Sequence, residues 1–178
     1  MEIISFNQLD THIQKQYTEE IKAIFFECTS VKNFRDEEHR ATFFNKWCGD
    51  YLKLSPRNFY LAISANEVAG YLSGHLDSEL ALSEFEIPGA AEFTEYYEQY
   101  PAHFHINCAP RHQGKGIGRK LIEHYVSRLS ESSIEGVHLI TSTDANNLGF
   151  YRALGFDKEI LRPFNKVELL LMGREISA

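Results

Sequence analysis

The stretch Gln113-Gly114-Lys115-Gly116-Ile117-Gly118-Arg119 constrains this chain more than any other, because it joins a strand candidate to a segment of helical period. Three glycines at alternate positions let successive backbone N–H groups converge on one point at a helix N-terminus, where the helix dipole favours an anion. The expectation is a pyrophosphate cradle. Two familiar glycine-rich patterns fail on these residues. A phosphate loop needs Ser or Thr after its Gly-Lys pair, and Lys115 is followed by Gly116; a GxGxxG fingerprint starting at Gly114 needs glycine where Arg119 stands. Arg111, Lys115, Arg119 and Lys120 crowd beside the glycines, whereas residues 58–110 hold no Lys or Arg. The 178-residue chain has 18 Lys and Arg against 25 Asp and Glu, a net charge of −7, so these cations are concentrated where they would steer a polyanionic ligand. The same overall charge is wrong for a polyphosphate duplex, and no nucleic-acid partner is expected.

With 43% apolar and 13% aromatic residues, the chain has the material for a packed core rather than a disordered tract. Met1 to Phe6 reads as a strand, and Ile13, Tyr17, Ile21, Ile24 and Phe25 form one stripe of a helix running to about Phe26. A second helix is expected from roughly Asp36 to Leu52. Phe59–Ser64 and Val68–Leu76 around Asn66 read as a hairpin, His103–Cys108 as the strand before the glycine loop, and 116–130 as an amphipathic helix on Leu121, Ile122, Tyr125, Val126 and Leu129. A strand at Gly136–Ser142, a short helix at Asn146–Leu154 stopped by Gly155, and strands near 156–161 and 167–174 follow. The reading is one α/β domain of mixed α+β character over residues 1–178, with an acidic, irregular stretch at about 77–101 read as an insertion or substrate loop with one or two helical turns. No apolar run of about 18 residues, no basic leader, and three widely spaced cysteines (Cys28, Cys48, Cys108) lead to the expectation of a cytoplasmic protein with reduced thiols and no membrane partner.

Gln113-x-x-Gly116-x-Gly118 resembles the coenzyme A pyrophosphate motif of the GNAT N-acetyltransferases, and Asn146-Asn147-Leu148-Gly149-Phe150-Tyr151-Arg152-Ala153-Leu154-Gly155-Phe156 resembles that family's FYxxLGF helix. The resemblance covers about 59–173. Within it, Tyr100-Pro101-Ala102-His103-Phe104-His105-Ile106-Asn107 looks most like the branch related to the acetyltransferase-like domain of O-GlcNAcase, where the position of Asn107 is often Asp. It implies a GNAT fold, a central twisted mixed sheet flanked by helices, with acetyl-CoA as cosubstrate and a primary amine of a small molecule or peptide as acceptor. It also implies a monomer or homodimer. Cofactor contacts would come from Ile106, Asn107 and Cys108, from Gln113, Gly114, Lys115, Gly116, Ile117, Gly118 and Arg119, and from Asn146, Asn147 and Phe150.

In such a reaction a neutral amine attacks a thioester in a ternary complex, and the chemistry needs a proton acceptor, an oxyanion donor and an acid for the departing sulfur. Tyr151 matches the family's catalytic tyrosine in register, and a phenol with a pKa of ~10 is protonated at neutrality. His103 and His105 alternate on one strand face with Asn107; either could be the base, and either could equally be a hydrogen-bonded core histidine. Asp77 and Glu79 acting through water are alternatives. No third ligand stands at recognisable spacing from the two histidines, so no metal is expected. Cys108 reads as an inert buried thiol. Seven carboxylates between Leu76 and Arg111, interleaved with aromatics, suit a cationic acceptor if they border its cleft, and a solvated acidic surface if they do not. A non-catalytic acyl-CoA-binding module acting as sensor or interaction domain is the alternative to an enzyme.

Overall fold

The computed structural model describes residues 1–176. Seven strands form a mixed sheet in the order β1-β2-β3-β4-β5-β7-β6: β1 (Glu2–Ser5), β2 (Phe59–Ser64), β3 (Glu67–His75), β4 (Ala102–Cys108), β5 (Gly136–Ser142), β6 (Lys158–Phe164) and β7 (Val167–Glu175). The helices are α1 (Thr11–Cys28), α2 (Glu37–Phe44), α3 (Asp50–Leu54), α4 (Ser78–Glu84), α5 (Ile117–Glu131) and α6 (Leu148–Arg152). β4 and β5 run parallel, through Ala102↔Val137 and His103↔His138, while β1-β2, β2-β3, β5-β7 and β6-β7 are antiparallel. The chain forms two compact units, residues 1–74 with 105–125, and residues 75–104 with 126–176.

In the first unit the apolar stripe of α1 buries Ile21, Ile24 and Phe25. Its C-terminal carbonyls, which no helical N–H can reach, accept from Lys32 Nζ at Phe26 (3.2 Å) and Glu27 (3.0 Å). Asp36 caps α2 by accepting from His39 N at 2.7 Å. The single helix expected to Leu52 is widened by a π turn over Asn45–Gly49 before α3 continues it. Gly49 suits that turn, since a Cβ there would lie 2.6 Å from Asn45 Oδ1. The hairpin β2-β3 turns on Ala65 and Asn66, both at positive φ, the two-residue geometry that matches strand twist. Phe59 stacks on Tyr71 at 5.4 Å, and Tyr60 contacts Tyr125 of α5 at 6.0 Å.

In the second unit the 77–101 segment, where one or two helical turns were expected, forms α4 and a 3-10 helix over Ala90–Tyr96, and its Phe93 and Tyr97 pack with Ile160 and Leu171 in a core cluster. The carboxylates masked a repeating apolar pattern (Ala81, Phe85, Ala90, Phe93, Tyr97) that folding buries. Gly136 opens β5 where a Cβ would fall 2.0 Å from the Gln99 carbonyl oxygen.

Candidate functional site

The residues singled out from sequence fall into two groups, one in each unit. In the first unit, β4 ends in Ile106, Asn107 and Cys108. Asn107 Nδ2 donates to the Tyr71 hydroxyl at 2.8 Å, so the main chain of this strand is what a ligand can use there. Tyr71 is in turn hydrogen-bonded to Cys48, and burial pushes the Tyr71 phenol well above its usual range and the Cys48 thiol up to about 12. The Cys108 carbonyl accepts from Gln113 Nε2 at 3.1 Å and from Cys28 Sγ at 3.4 Å. Gln113 thereby braces the loop back onto the strand it leaves. Burial raises the Cys108 thiol to about 11, which keeps it protonated at neutral pH and unreactive.

Beyond Gln113 the chain is exposed through Gly116. Gly114 (φ +72°) and Gly116 (φ +77°) both adopt left-handed backbone, and both face open space. Ile117, 5% exposed, anchors the start of α5, and the first intrahelical donor is Lys120 N, bonded to the Gly116 carbonyl at 3.1 Å. The N–H groups of Ile117, Gly118 and Arg119 therefore have no helical acceptor. Arg111 is committed elsewhere, to Glu67 at 2.9 Å with His112 beside it at 2.8 Å, and these two donors hold the Glu67 carboxyl below its usual range. Arg119 makes an exposed contact with Glu123 at 3.4 Å, while Lys115 and Lys120 have no ion-pair partner among the described residues. The unit also holds His105, whose Nδ1 is buried without a hydrogen-bond partner and whose ring burial pushes down to about 4.

In the second unit Tyr151 sits on α6, 5% exposed, with ring contacts to Phe104 (6.5 Å), Phe150 (5.3 Å) and Phe156 (6.1 Å). The helix is stopped by Gly155 at φ +82°, and Phe156 N returns to the Tyr151 carbonyl at 3.2 Å. Asn147 leaves the helix uncapped and extends its amide to the Tyr151 hydroxyl at 3.4 Å; Asn146 is exposed and Phe150 half-buried. His103 is 8% exposed and is held by Ser78. Ser78 Oγ lies 2.6 Å from the Pro101 carbonyl and 2.8 Å from His103 Nδ1. Its one proton must go to the carbonyl, so Nδ1–H of His103 donates to Ser78. Burial, then the neighbouring His138 and His75, push His103 well below its ordinary value.

From sequence, each of these two histidines could be a base or a hydrogen-bonded core residue. Enclosure makes both weaker bases than a free imidazole, and it keeps their rings neutral. The carboxylate alternatives have other surroundings: Asp77 caps α4 by accepting from Leu80 N at 2.9 Å, and Glu79 is exposed in the same first turn. The residues that hold the candidates in place, Tyr71, Ser78 and His138, gave no sequence signal, because each reaches its partner across 25 or more positions. Among the described residues no group of three or more His, Cys, Asp or Glu could hold a metal ion, and no helix is long and apolar enough to cross a membrane.

Comparison with known proteins agrees with this arrangement of strand, glycine loop and helix. The sequence pattern of the Acetyltransferase (GNAT) family matches residues 18–156. The crystal structure of SsHAT superposes with a TM-score of 0.74 at 21% identity, over 99% of this chain and 98% of that one. PH1933 from Pyrococcus horikoshii OT3 gives 0.71 at 15% identity over 99% of each chain. A chain of the NatC complex bound to Gag peptide and CoA gives 0.57 at 17% identity, over 99% of this chain and 100% of that one. With the family pattern spanning well over half of its length, the chain belongs to the GNAT family of acetyltransferases.

Proposed function

We propose that this enzyme transfers the acetyl group of acetyl-CoA to a primary amine of a small molecule or peptide, by direct attack in a ternary complex. The observation that carries the reading is the 113–119 loop, where two glycines at positive φ facing open space precede three N–H groups without helical acceptors. A pyrophosphate suits that cradle, because both charge and donors are in place before it arrives. Gly114 to Arg119 would hold the pyrophosphate, with Lys115 and Arg119 adding charge and Gln113 bracing the loop. The main chain of Ile106 to Cys108 would hold the pantetheine arm, and Asn146, Asn147 and Phe150 would flank it. When bound, acetyl-CoA supplies an activated thioester. Tyr151 would protonate the departing sulfur, and His103 or His105 would take the amine's proton.

The acidic surface of 77–101 favours a cationic acceptor, since several of its carboxylates, including Glu79, Glu92 and Glu98, are exposed. We place the enzyme in the cytoplasm, as one acetyltransferase domain acting as monomer or homodimer. Calorimetry with acetyl-CoA, run beside a thiol-release assay on polyamines, aminoglycosides, amino acids and peptides, tests the reading. Binding with amine-stimulated release supports it. Binding without release on any amine, or no binding, sinks it.

A further inference from the structure

Asn147 stands where a helix cap is expected and does something else. It precedes α6, and Asn is favoured at that place because its side chain accepts from the first N–H groups of a helix. Here no such bond forms, and the backbone at φ −105° and ψ 9° lies outside the extended region that a cap residue normally adopts. The side chain turns instead one helical turn forward, where Nδ2 donates to the Tyr151 hydroxyl at 3.4 Å. The main chain makes the same connection, since the Asn147 carbonyl accepts from Phe150 N at 3.0 Å and from Tyr151 N at 3.3 Å. Tyr151 is therefore tied to Asn147 twice.

The phenol that receives this bond is held in place. Phe104, Phe150 and Phe156 surround its ring. Arg174 Nη1 fixes the far end of the helix by donating to the Leu154 carbonyl at 2.9 Å. The approach to the near end is shaped by Ser142, whose Oγ donates to Asp144 Oδ1 at 2.6 Å and whose carbonyl accepts from Ala145 N at 3.2 Å. What is left to set is the rotation of the O–H about the phenol's C–O bond. A phenol oxygen carries one proton and accepts through its lone pairs. With the Asn147 amide donating into a lone pair, the Tyr151 proton lies on another side of the oxygen. The amide thus decides the direction in which Tyr151 gives that proton up.

We propose that Asn147 is the positioning residue of the Tyr151 acid, aiming its proton and stabilising the phenolate left behind; this rests on the acetyl-transfer reading above. As the amine attacks, the new C–N bond forms and the C–S bond breaks, the sulfur leaving with the electron pair and taking the Tyr151 proton. The amine's surplus proton goes to the base, and the electron pair of the O–H bond stays on the phenolate oxygen until solvent returns a proton. The Asn147 N–H meets a neutral oxygen before this step and an anionic one after it, and hydrogen bonds to ions are about twice as strong as neutral ones. An interaction that strengthens as charge develops lowers the barrier. The 3.4 Å separation suits this role, because catalytic hydrogen bonds are often long in the free enzyme and tighten in the complex.

The test uses the full chain with Asn147→Ala and Asn147→Asp, each alone and combined with Tyr151→Phe. Asn147→Ala lowers kcat on the order of ten-fold. Asn147→Asp lowers it further, because a carboxylate only accepts, so it draws the phenol's proton to itself and opposes a phenolate. In both variants the loss falls on kcat more than on KM for acetyl-CoA, and in the Tyr151→Phe background neither substitution lowers kcat again. A residue that only caps α6 gives the opposite order, since Asp caps as well as Asn and Ala does not. One that only touches the pantetheine arm raises KM and leaves kcat at the wild-type value. Either result overturns the proposal, and so do losses that add to that of Tyr151→Phe. Tyrosine 13C spectra across pH, with the Tyr151 signal identified by its absence in Tyr151→Phe, supply a readout independent of turnover: its titration moves to higher pH in Asn147→Ala and higher still in Asn147→Asp. Wild-type protein that acetylates no amine sinks the acetyl-transfer reading by itself, and a Tyr151 titration that Asn147→Ala leaves unmoved sinks the pairing whatever the turnover.

Discussion

Tyr151 shows how much one side chain's position can be read in advance. Its register in FYRALGF placed it on a short helix stopped by glycine, and the structure has that helix with Gly155 at its end. Tyr151→Phe removes one hydroxyl from a ring otherwise held by Phe104, Phe150 and Phe156. Acetyl-CoA affinity by calorimetry should stay within two-fold or so, while kcat drops on the order of a hundred-fold, the scale of a lost proton donor. Gly116→Ala acts differently: its Cβ meets nothing within 4 Å, so the cost is the left-handed backbone alone, about 1 kcal/mol, together with a narrowed cradle. A fall in acetyl-CoA affinity larger than the fall in stability is the expected pattern. His105 was legible as a candidate base or a core histidine, and His138 only as a residue of a buried strand. Their burial holds both folded rings neutral down to about 4, whereas unfolded they take a proton near pH ~6.5. The stability they permit is complete above the unfolded value and is lost as pH falls toward 4, by up to ~3 kcal/mol for each ring. Denaturant melts at pH 7 and pH 4.5 should show this loss, and a double His105→Gln, His138→Gln variant should show a flatter dependence.

At the scale of elements, the hairpin β2-β3, strand β4, helix α5 and helix α6 lie within two or three residues of where hydrophobic period and glycine punctuation put them. Two elements were not legible. The π turn at Asn45–Gly49 depends on how closely Gly49 approaches Asn45 and Phe44, which no local pattern announces. The acidic 77–101 segment looked like surface because carboxylates are interspersed all along it, yet Phe93 and Tyr97 tie it to Ile160 and Leu171, more than 60 positions later. The start of β5 depends on a similar long-range approach. Gly136→Ala places a methyl 2.0 Å from the Gln99 oxygen, a backbone atom that cannot swing aside. The expected loss is about 3 kcal/mol, read as a lower midpoint in denaturant with the slope unchanged; a midpoint within error of wild type would contradict the close approach.

For the whole molecule the charge distribution matters more than its sum. Cations gathered at 111–120 in a chain of net charge −7 should make acetyl-CoA binding depend on salt, weakening as ionic strength screens Lys115, Arg119 and Lys120. Lys115→Gln with Lys120→Gln should lower affinity at low salt by about ten-fold and flatten that dependence, measured by titration over a range of salt concentrations. The sequence by itself determined the family, the glycine loop before α5, the place of the α6 tyrosine and most of the strand and helix boundaries, since each is written in residues close together in the chain. The branch within the family was read from residues 100–107, Pro110 and the loop that starts at Gln113, and the match to known proteins reaches the family and not that branch. Tertiary structure alone decided that β7 lies between β5 and β6, that Asn107 is tied to Tyr71, and that Ser78, His75 and His138 surround His103. Those facts depend on which distant segments meet and how much water they exclude, and a hydrogen bond or a displaced pKa exists only once that contact is made.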